Sequence, residues 1–434
     1  MEPSISEAEN DRLSRVPDAD EVKKVVWEMN AYKALGPDRH PGLFFKKYWS
    51  IVRPQVISAV QSFFHDGWLL KQMNQTYITL IPKSQGACNF SQFRPISLCN
   101  FYYKIISKIL VMRLRPIMPK LIDHSQAAFV PDRWIAENVV LAQEVVYTFN
   151  QMKRKKGSVG FKLDFKKAYD SLEWEFILAV LPAVGIDQKF VDLIYQCIST
   201  VQFTLLLNGT KSSSITPSRG LRQGDPLSPY LFILCADVLV KLINREVARG
   251  SITGVKLGVG AAAITELFYA DDVLLFCGAK VSEVDALMKC LEKYCLWSGQ
   301  SISVEKSGIF ASKGVHHNFL SQVKNQWGFK QLLQGVKYLG VPLFLTKNKS
   351  KDFAYVKEKL EARTNGWKSK NLSWIGRATL IKSVAQSAPV YTMAMCMLPK
   401  KLCSDLDGIV RKFWWSPKKS GNKYYSSVAW KEIC

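Results

Sequence analysis

Apolar positions along the chain change period several times. Near the N-terminus, Asp18, Asp20 and Glu21 open a segment in which Val22, Val25, Val26 and Met29 stand at helical spacing. A Gly/Pro-rich loop follows (Gly36-Pro37-Asp38, Pro41-Gly42), then a second helical pattern from about Pro54 to Leu69. Residues 76–83 alternate and predict a strand ended by Pro82. Residues 98–118 predict a basic amphipathic helix carrying Lys104, Lys108, Arg113 and Arg115. In the centre, Val159 to Phe165 predicts a strand and Leu172 to Val184 a helix. Gln202 to Leu207 and Lys211 to Ile215 flank Asn208-Gly209, a hairpin turn. A long helix is expected from Ser228 to Arg249, with Ser228 as N-cap and Pro229 at its first position. Two short strands, Ile264 to Tyr269 and Val273 to Phe276, enclose Ala270-Asp271-Asp272. Glu283 to Trp297 then predicts a helix and Ile302 to Phe310 a strand. With the 202–215 hairpin set aside, the order is strand, helix, strand, strand, helix, strand. That split βαβ order predicts an α+β fold with an antiparallel sheet and helices on one face. Beyond Lys347 the pattern is helical: Phe353 to Arg363, Ser373 to just before Pro389, and Pro399 to Trp415. The expected organisation is a helical N-terminal extension (1–75), a mixed centre (76–346) and a helical C-terminal part (347–434).

Charge sharpens this picture. The 434 residues carry a net charge of +23, which favours a polyanionic partner. Residues 1–30 are acidic, net −4, whereas 347–434 are net +12, half of the whole excess. The polar, acidic start is not a signal peptide. The most apolar stretch, Leu227 to Ile243, is interrupted by Asp237 and Lys241 and is too short for a membrane span. The ten cysteines form no C-x-x-C pair and the five histidines are scattered, so no zinc site is expected. Cysteines in apolar runs fit a reduced, intracellular protein.

The candidate chemistry lies in acids placed inside apolar strands. Asp164 ends the strand Phe161-Lys162-Leu163, and Asp271-Asp272 sit between Phe268-Tyr269-Ala270 and Val273-Leu274-Leu275. One reading makes them exposed turn aspartates. The other brings them together around divalent cations, which would remove the desolvation and repulsion of clustered carboxylates. Mg²⁺ takes a few hard oxygens plus substrate phosphates, and two such ions support phosphoryl transfer. That both sites fall at the rim of one predicted sheet favours the second reading.

Six segments in order then resemble one family. Tyr269-Ala-Asp-Asp272 resembles the Y/F-x-D-D signature of reverse transcriptases. Phe161-Lys-Leu-Asp-Phe-Lys-Lys-Ala-Tyr-Asp170 is similar to their first aspartate motif, and Gly220-Leu-Arg-Gln-Gly-Asp-Pro-Leu-Ser-Pro229 to their R-Q-G-D-P-L-S-P motif. Leu80-Ile-Pro-Lys83 and Phe93-Arg-Pro-Ile-Ser-Leu98 resemble finger motifs, and Tyr338-Leu-Gly-Val-Pro342 the primer-grip region. The wording, with Gly366 to Lys370, Leu372 to Trp374 and Ile381 to Ser383, resembles plant-type non-LTR (LINE-like) retrotransposon polymerases from about residue 20 to the end.

The resemblance implies a right-hand polymerase: fingers and a ferredoxin-like palm over 76–346, and a thumb-like region over 347–434. It implies RNA-directed DNA synthesis on an RNA template and DNA primer with dNTPs, two Mg²⁺ (Mn²⁺ the alternative ion), and no membrane. Localisation is expected to be intracellular and nuclear, cytoplasmic during assembly with element RNA. Asp164 and Asp271 become the main metal ligands, Asp272 completes the triad, and the Phe165 carbonyl adds a contact. Tyr169 becomes the steric gate against a 2′-hydroxyl, with a core tyrosine as the other reading. Lys83 and Arg94 would pair with the triphosphate, and a solvated lysine is the other reading of Lys83. Arg222 and Gln223 would face dNTP and template, and Lys306 would act as general acid on pyrophosphate. Asp170 is expected to cap the following helix.

Three positions depart from the family wording: Arg39 in Gly36-Pro-Asp-Arg39, Asp132 in Val130-Pro-Asp-Arg133, and Ser303 in place of an asparagine. Trp367, Trp374, Trp414 and Trp415 read as core first and as nucleic-acid stacking second. Lys153 to Lys156 reads as a solvated loop first and as a phosphate or nuclear-import patch second. No endonuclease, Cys/His knuckle or RNase H-like segment is visible, and the chain is expected to be a fragment or truncated copy. Two other readings stand beside the polymerase: a catalytically decayed or co-opted nucleic-acid-binding chain, and, more weakly, a group II intron-type maturase.

Overall fold

The computed structural model describes residues 5–152, 157–368, 372–415 and 428–432. Lys153 to Lys156 lie outside the described residues, as does the Trp367 side chain. The strands, in chain order, are β1 (Gln75–Pro82), β2 (Phe93–Cys99), β3 (Ser158–Asp164), β4 (Gln202–Leu207), β5 (Thr210–Ile215), β6 (Val255–Lys256), β7 (Ala263–Ile264), β8 (Glu266–Tyr269), β9 (Asp272–Gly278), β10 (Gly308–Ala311), β11 (Lys330–Gln331), β12 (Lys337–Tyr338) and β13 (Val341–Pro342).

The main sheet has the order β11-β10-β3-β9-β8. Strands β10, β3, β9 and β8 are antiparallel neighbours. Strand β3 is therefore central, and the two crossovers carry helices, as in a ferredoxin-like palm. Alternation divides its residues between two faces. Phe161, Leu163, Val273, Leu275 and Ile309 pack into the large core with helices Trp174–Ala183, Ser228–Ala248 and Val281–Ser298. Leu267, Leu274, Phe276 and Phe310 point the other way, onto helix Ile135–Gln151 and the β12–β13 hairpin. That second cover is partial, and the end of the sheet that carries Asp164 and Asp272 is left accessible.

A second sheet has the order β2-β1-β4-β5. The hairpin at Asn208-Gly209, both at positive φ (50° and 82°), delivers β4 into parallel pairing with β1. The finger strands thus come from both sides of β3 in sequence.

The N-terminal helices share the palm's core: Leu13, Val22 and Val25 belong to one cluster with Phe161 and Leu291. Asp18 caps helix Ala19–Glu28 by accepting from the Glu21 N–H at 2.8 Å. Asp38 accepts the Phe101 N–H at 2.7 Å and so caps helix Phe101–Leu114 from far upstream. That helix is enclosed rather than amphipathic. Its Arg113 is buried and donates two 2.9 Å bonds to Glu21, which neutralises part of the acidic N-terminal segment.

Other expectations change for local reasons. Helix Ser228–Ala248 has no side-chain cap from Ser228. Instead the Leu227 N–H donates to Asp225 and to Ser107, each at 3.1 Å. Helix Trp174–Ala183 likewise lacks a side-chain cap, so Asp170 does not cap it. The strand expected at 302–310 shortens to β10, because a turn folds residues 303–307. Helix Trp49–Asp66 contains Pro54 rather than starting at it. In the C-terminal part, helix Trp374–Leu380 passes through a π-turn (Ile381–Ala385) into helix Ser387–Met393. Pro389 then falls in a first turn, where its missing N–H is tolerated. A separate small core joins helices Ala354–Lys368 and Lys400–Trp415 through Phe353, Val356, Leu360, Leu402 and Leu406.

Candidate active site

Asp164 is the last residue of β3, and its register partner on β9 is Asp272. Partners in an antiparallel pair lie about 4.5–5.5 Å apart at Cα. Tyr269 pairs with Asp272, which leaves Ala270-Asp271 as a two-residue turn with Ala270 at φ +53°. The three carboxylates are therefore gathered at one sheet end. Desolvation, with the charge of Asp164 adding to it, raises the Asp271 carboxyl above its ordinary range. Desolvation and the charges of Asp271 and Asp164 raise Asp272 as well, opposed by Lys162.

Two lysines answer this negative charge. Lys162, two residues before Asp164 on the same strand face, places Nζ 3.8 Å from Asp272. Lys306 Nζ lies 3.7 Å from Asp164, and its side chain is 67% exposed. Segment 303–307 is clasped to the end of β3: the Ser303 N–H donates to the Asp164 carbonyl at 2.8 Å, and the Asp164 N–H donates to the Ser307 hydroxyl at 3.0 Å. Serine at 303 therefore still builds the turn that carries Lys306.

Among the described residues no three His, Cys, Asp or Glu side chains converge closely enough to hold a metal ion unaided. The donor set nevertheless fits hard divalent cations, which take few protein carboxylates and complete their shells with water and phosphate oxygens.

Tyr169 stands beside this cluster. Its ring stacks on Phe232 with centroids 4.5 Å apart at 11°. Burial, then the charge of Asp271, pushes its phenol above the usual range. The Phe165 side chain is buried, edge-on to Tyr294, and its backbone bridges to Ile302. The Gly220–Asp225 loop docks on β2: the Ser97 N–H donates to the Gln223 carbonyl at 2.8 Å. Gly224, at φ +111°, brings backbone within 3.1 Å of the Ser97 carbonyl for any added Cβ. Gln223, Asp170 and Ser97 line a cavity of about 290 Å³ between the second sheet and the 217–225 loop. Larger hollows, near 670 and 660 Å³, lie along helix Trp49–Asp66 and behind the palm, away from the carboxylates.

Arg222 also lines the cavity of about 290 Å³, and its guanidinium is engaged within the protein. It is buried, donates to Asn74 at 2.5 Å and to the Cys197 carbonyl at 2.9 Å, and pairs with Asp225 at 3.0 Å. Its guanidinium lies 3.8 Å from the Tyr103 ring centroid. Both terminal nitrogens are used inside the protein. Lys83 is exposed and donates to the Ser91 carbonyl at 2.8 Å. Burial raises the Asp170 carboxyl, and the charges of Lys167 and Lys83 oppose it. Arg94 is exposed on β2 opposite Ile81.

Lys162 and Ser307 are site residues that sequence reasoning missed. The signal for Lys162 was available, since period-two alternation puts residues 162 and 164 on one face. From the C-terminal part, the Tyr391 hydroxyl donates to the Leu339 carbonyl at 2.6 Å and so ties helix Ser387–Met393 to the β12–β13 hairpin. Trp374 remains 52% exposed beside Trp414, ring centroids 5.0 Å apart.

The family profile described as "Reverse transcriptase (RNA-dependent DNA polymerase)" matches residues 81–343, more than half of the chain. The chain belongs to the reverse transcriptase family. The matched region of this reverse transcriptase contains the carboxylates, both lysines and the 220–225 loop. It is similar to the "Transposon TX1 uncharacterized 149 kDa protein" of Xenopus laevis, 26% identical over 99% of this chain and 32% of that protein. It is also similar to the Pol polyprotein of the retrotransposable element R2DM of Drosophila melanogaster, 32% identical over 54% of this chain and 21% of that one. An uncharacterized mitochondrial protein of Arabidopsis thaliana is 49% identical over 67 residues, 15% of this chain and 55% of that protein. The chain spans about a third or less of the transposon and retrotransposon proteins. No helix among the described residues is long and apolar enough to cross a membrane.

Proposed function

We propose that this reverse transcriptase is the polymerase part of a non-LTR retrotransposon, of the plant-type group, and extends a primer 3′-hydroxyl with dNTPs on an RNA template. The observation that carries the reading is the pairing of Asp164 with Asp272 across β3 and β9, with Asp271 at the adjoining turn. The motif wording and the Arabidopsis match support the plant-type assignment. Asp164, Asp271 and Asp272 are the residues that would hold two Mg²⁺, or Mn²⁺ in their place. Such ions supply neutralisation of phosphate charge and activation of the attacking hydroxyl.

The chain's own groups do the rest. In the transfer, the primer 3′-hydroxyl loses its proton to water, its oxygen bonds to the α-phosphorus, the α–β bridging bond breaks, and pyrophosphate leaves. Lys306, at the edge of the site, would act as the general acid on the departing pyrophosphate. Lys83 and Arg94, exposed on the finger strands, would pair with the triphosphate. The Tyr169 ring, fixed by Phe232, would crowd a 2′-hydroxyl, and the Gln223 loop would bound the dNTP. The fingers and palm are assigned to 76–346, with a helical region on either side: 1–75 and a thumb-like 347–434 that would hold the template–primer. We place the protein inside the cell and, for integration, in the nucleus.

Primer extension on an RNA template tests this. Asp271→Ala is expected to abolish incorporation while nucleic-acid binding persists, and equal incorporation by the variant would refute the site. A binding-only chain is the second reading. Left-handed backbone at Arg39 (φ +55°) and Asp132 (φ +62°) favours it, because both are the positions where the sequence departs from glycine in the family wording. Failure of the unaltered chain to extend any primer would establish that reading.

A further inference from the structure

The turn that presents Asp271 is an unusual one. Two-residue hairpin turns favour glycine, asparagine or aspartate where φ is positive, and here alanine stands at φ +53°. A non-glycine residue in that region persists only when its surroundings hold it. Ala270 is also buried, so its N–H needs a partner within the protein.

That partner comes from residues 122–133. The Gln126 side chain is 1% exposed, and its Oε1 accepts the N–H of Ala270 at 2.9 Å and that of Ala128 at 3.0 Å. Its Nε2 has no hydrogen-bond partner among the described residues; the carboxamide is held for its oxygen. The backbone around Gln126 is itself locked to β8: the Ala127 N–H donates to the Phe268 carbonyl at 3.0 Å, and the Phe268 N–H to the Ser125 carbonyl at 2.8 Å. Arg133 then grips this loop from outside, donating to the carbonyls of Ile122 (2.8 Å), Gln126 (2.7 Å) and Asp123.

We propose that Gln126 is a positioning residue that holds the Ala270-Asp271 turn in its left-handed form, with Arg133 fixing Gln126, so that the aspartates keep the spacing the chemistry needs. The proposal rests on the polymerase reading for its effect on rate, but not for its effect on the turn. The loop around Val130-Pro-Asp-Arg133 thereby acquires a function: it braces the catalytic hairpin from outside the sheet.

The test uses the full chain with Gln126→Met, similar in length but without an acceptor. Hydrogen–deuterium exchange is read over residues 266–273, and the Ser228–Ala248 helix serves as the folding control. Exchange at the turn is expected to speed up roughly fivefold, the worth of one hydrogen bond, with the control unchanged. In single-nucleotide extension the rate is expected to fall roughly tenfold, while the dNTP KM and primer–template binding stay within about twofold. Adding Ala270→Gly, which accepts positive φ without strain, is expected to recover most of that loss. Unaltered exchange at 266–273, or a double variant no faster than Gln126→Met, would overturn the proposal. Should Gln126→Met lose protection in the control helix as well, Gln126→Asn, one methylene shorter, is read by the same criteria. Altered exchange in a chain that extends no primer would leave the brace standing and sink the polymerase reading instead.

Discussion

Arg222→Met is the sharpest probe of how the fingers are joined to the palm. The wild-type side chain is 4% exposed and faces Asp225 at 2%. Removing the guanidinium leaves Asp225 as a buried carboxylate that keeps its Tyr103 and Ser107 hydroxyl donors but loses its counter-ion. It also leaves the Asn74 oxygen without its donor, while the Cys197 carbonyl keeps only the Asn74 amide. Breaking a buried pair from one side costs about 3–5 kcal/mol. Urea unfolding followed by tryptophan fluorescence should show a loss of that size, read from the midpoint at constant slope. Arg222→Met with Asp225→Asn should lose less than the single variant, by about 1 kcal/mol or more, because the orphaned charge is gone. The dNTP KM of any folded fraction should stay near wild type. A destabilisation under about 1 kcal/mol combined with a raised KM would refute the structural role and return Arg222 to the substrate.

Two further outcomes concern stability. Burial raises the Glu266 carboxyl to about 7, with a Thr265 hydrogen bond opposing and Asp123 adding, and one of its oxygens has no hydrogen-bond partner among the described residues. A raised folded value means that stability is fully present below about 4.5, the ordinary value, and is lost as pH rises through about 7. Glu266→Gln should therefore match wild type near pH 5 and exceed it by up to about 3 kcal/mol at pH 8; equal urea midpoints at both pH values would contradict this. Arg39, exposed at φ +55°, should give way to glycine with a gain of about 0.5–1 kcal/mol in thermal unfolding, and a loss would show that its side chain makes a contact worth more than the strain.

The palm was legible because its strands are short, apolar and alternating, and because a ferredoxin-like order follows from the sequence of elements. The triad was legible for a related reason, as acids at the ends of such strands need an explanation beyond folding. What escaped was decided by partners distant in sequence. Arg222 stands in a motif that reads as substrate-facing, yet Asn74 and Cys197, carried by other elements, claim its donors. Ser228 has N-cap chemistry, but Ser107 and Asp225 reach the Leu227 N–H instead. Helices Ile135–Gln151 and Gln188–Ser199 were not singled out, although the first covers part of the second sheet face. The 302–310 segment alternates like a strand over its whole length, and only the bond from Ser303 to the Asp164 carbonyl reveals the turn.

The shared core has a consequence for synthesis on the ribosome. Leu13 and Phe329 pack in the same cluster, and β10, which lies between β3 and the short edge strand β11, is made after β3, β8 and β9. The nascent chain can dock its N-terminal helices early, on helices Phe101–Leu114 and Gln188–Ser199, but the sheet stays open until residues 308–311 have emerged. A reading frame interrupted before Ala311 forfeits that closing strand; its product is expected to meet chaperones and proteases as an open sheet, not to persist as a silent but folded relic.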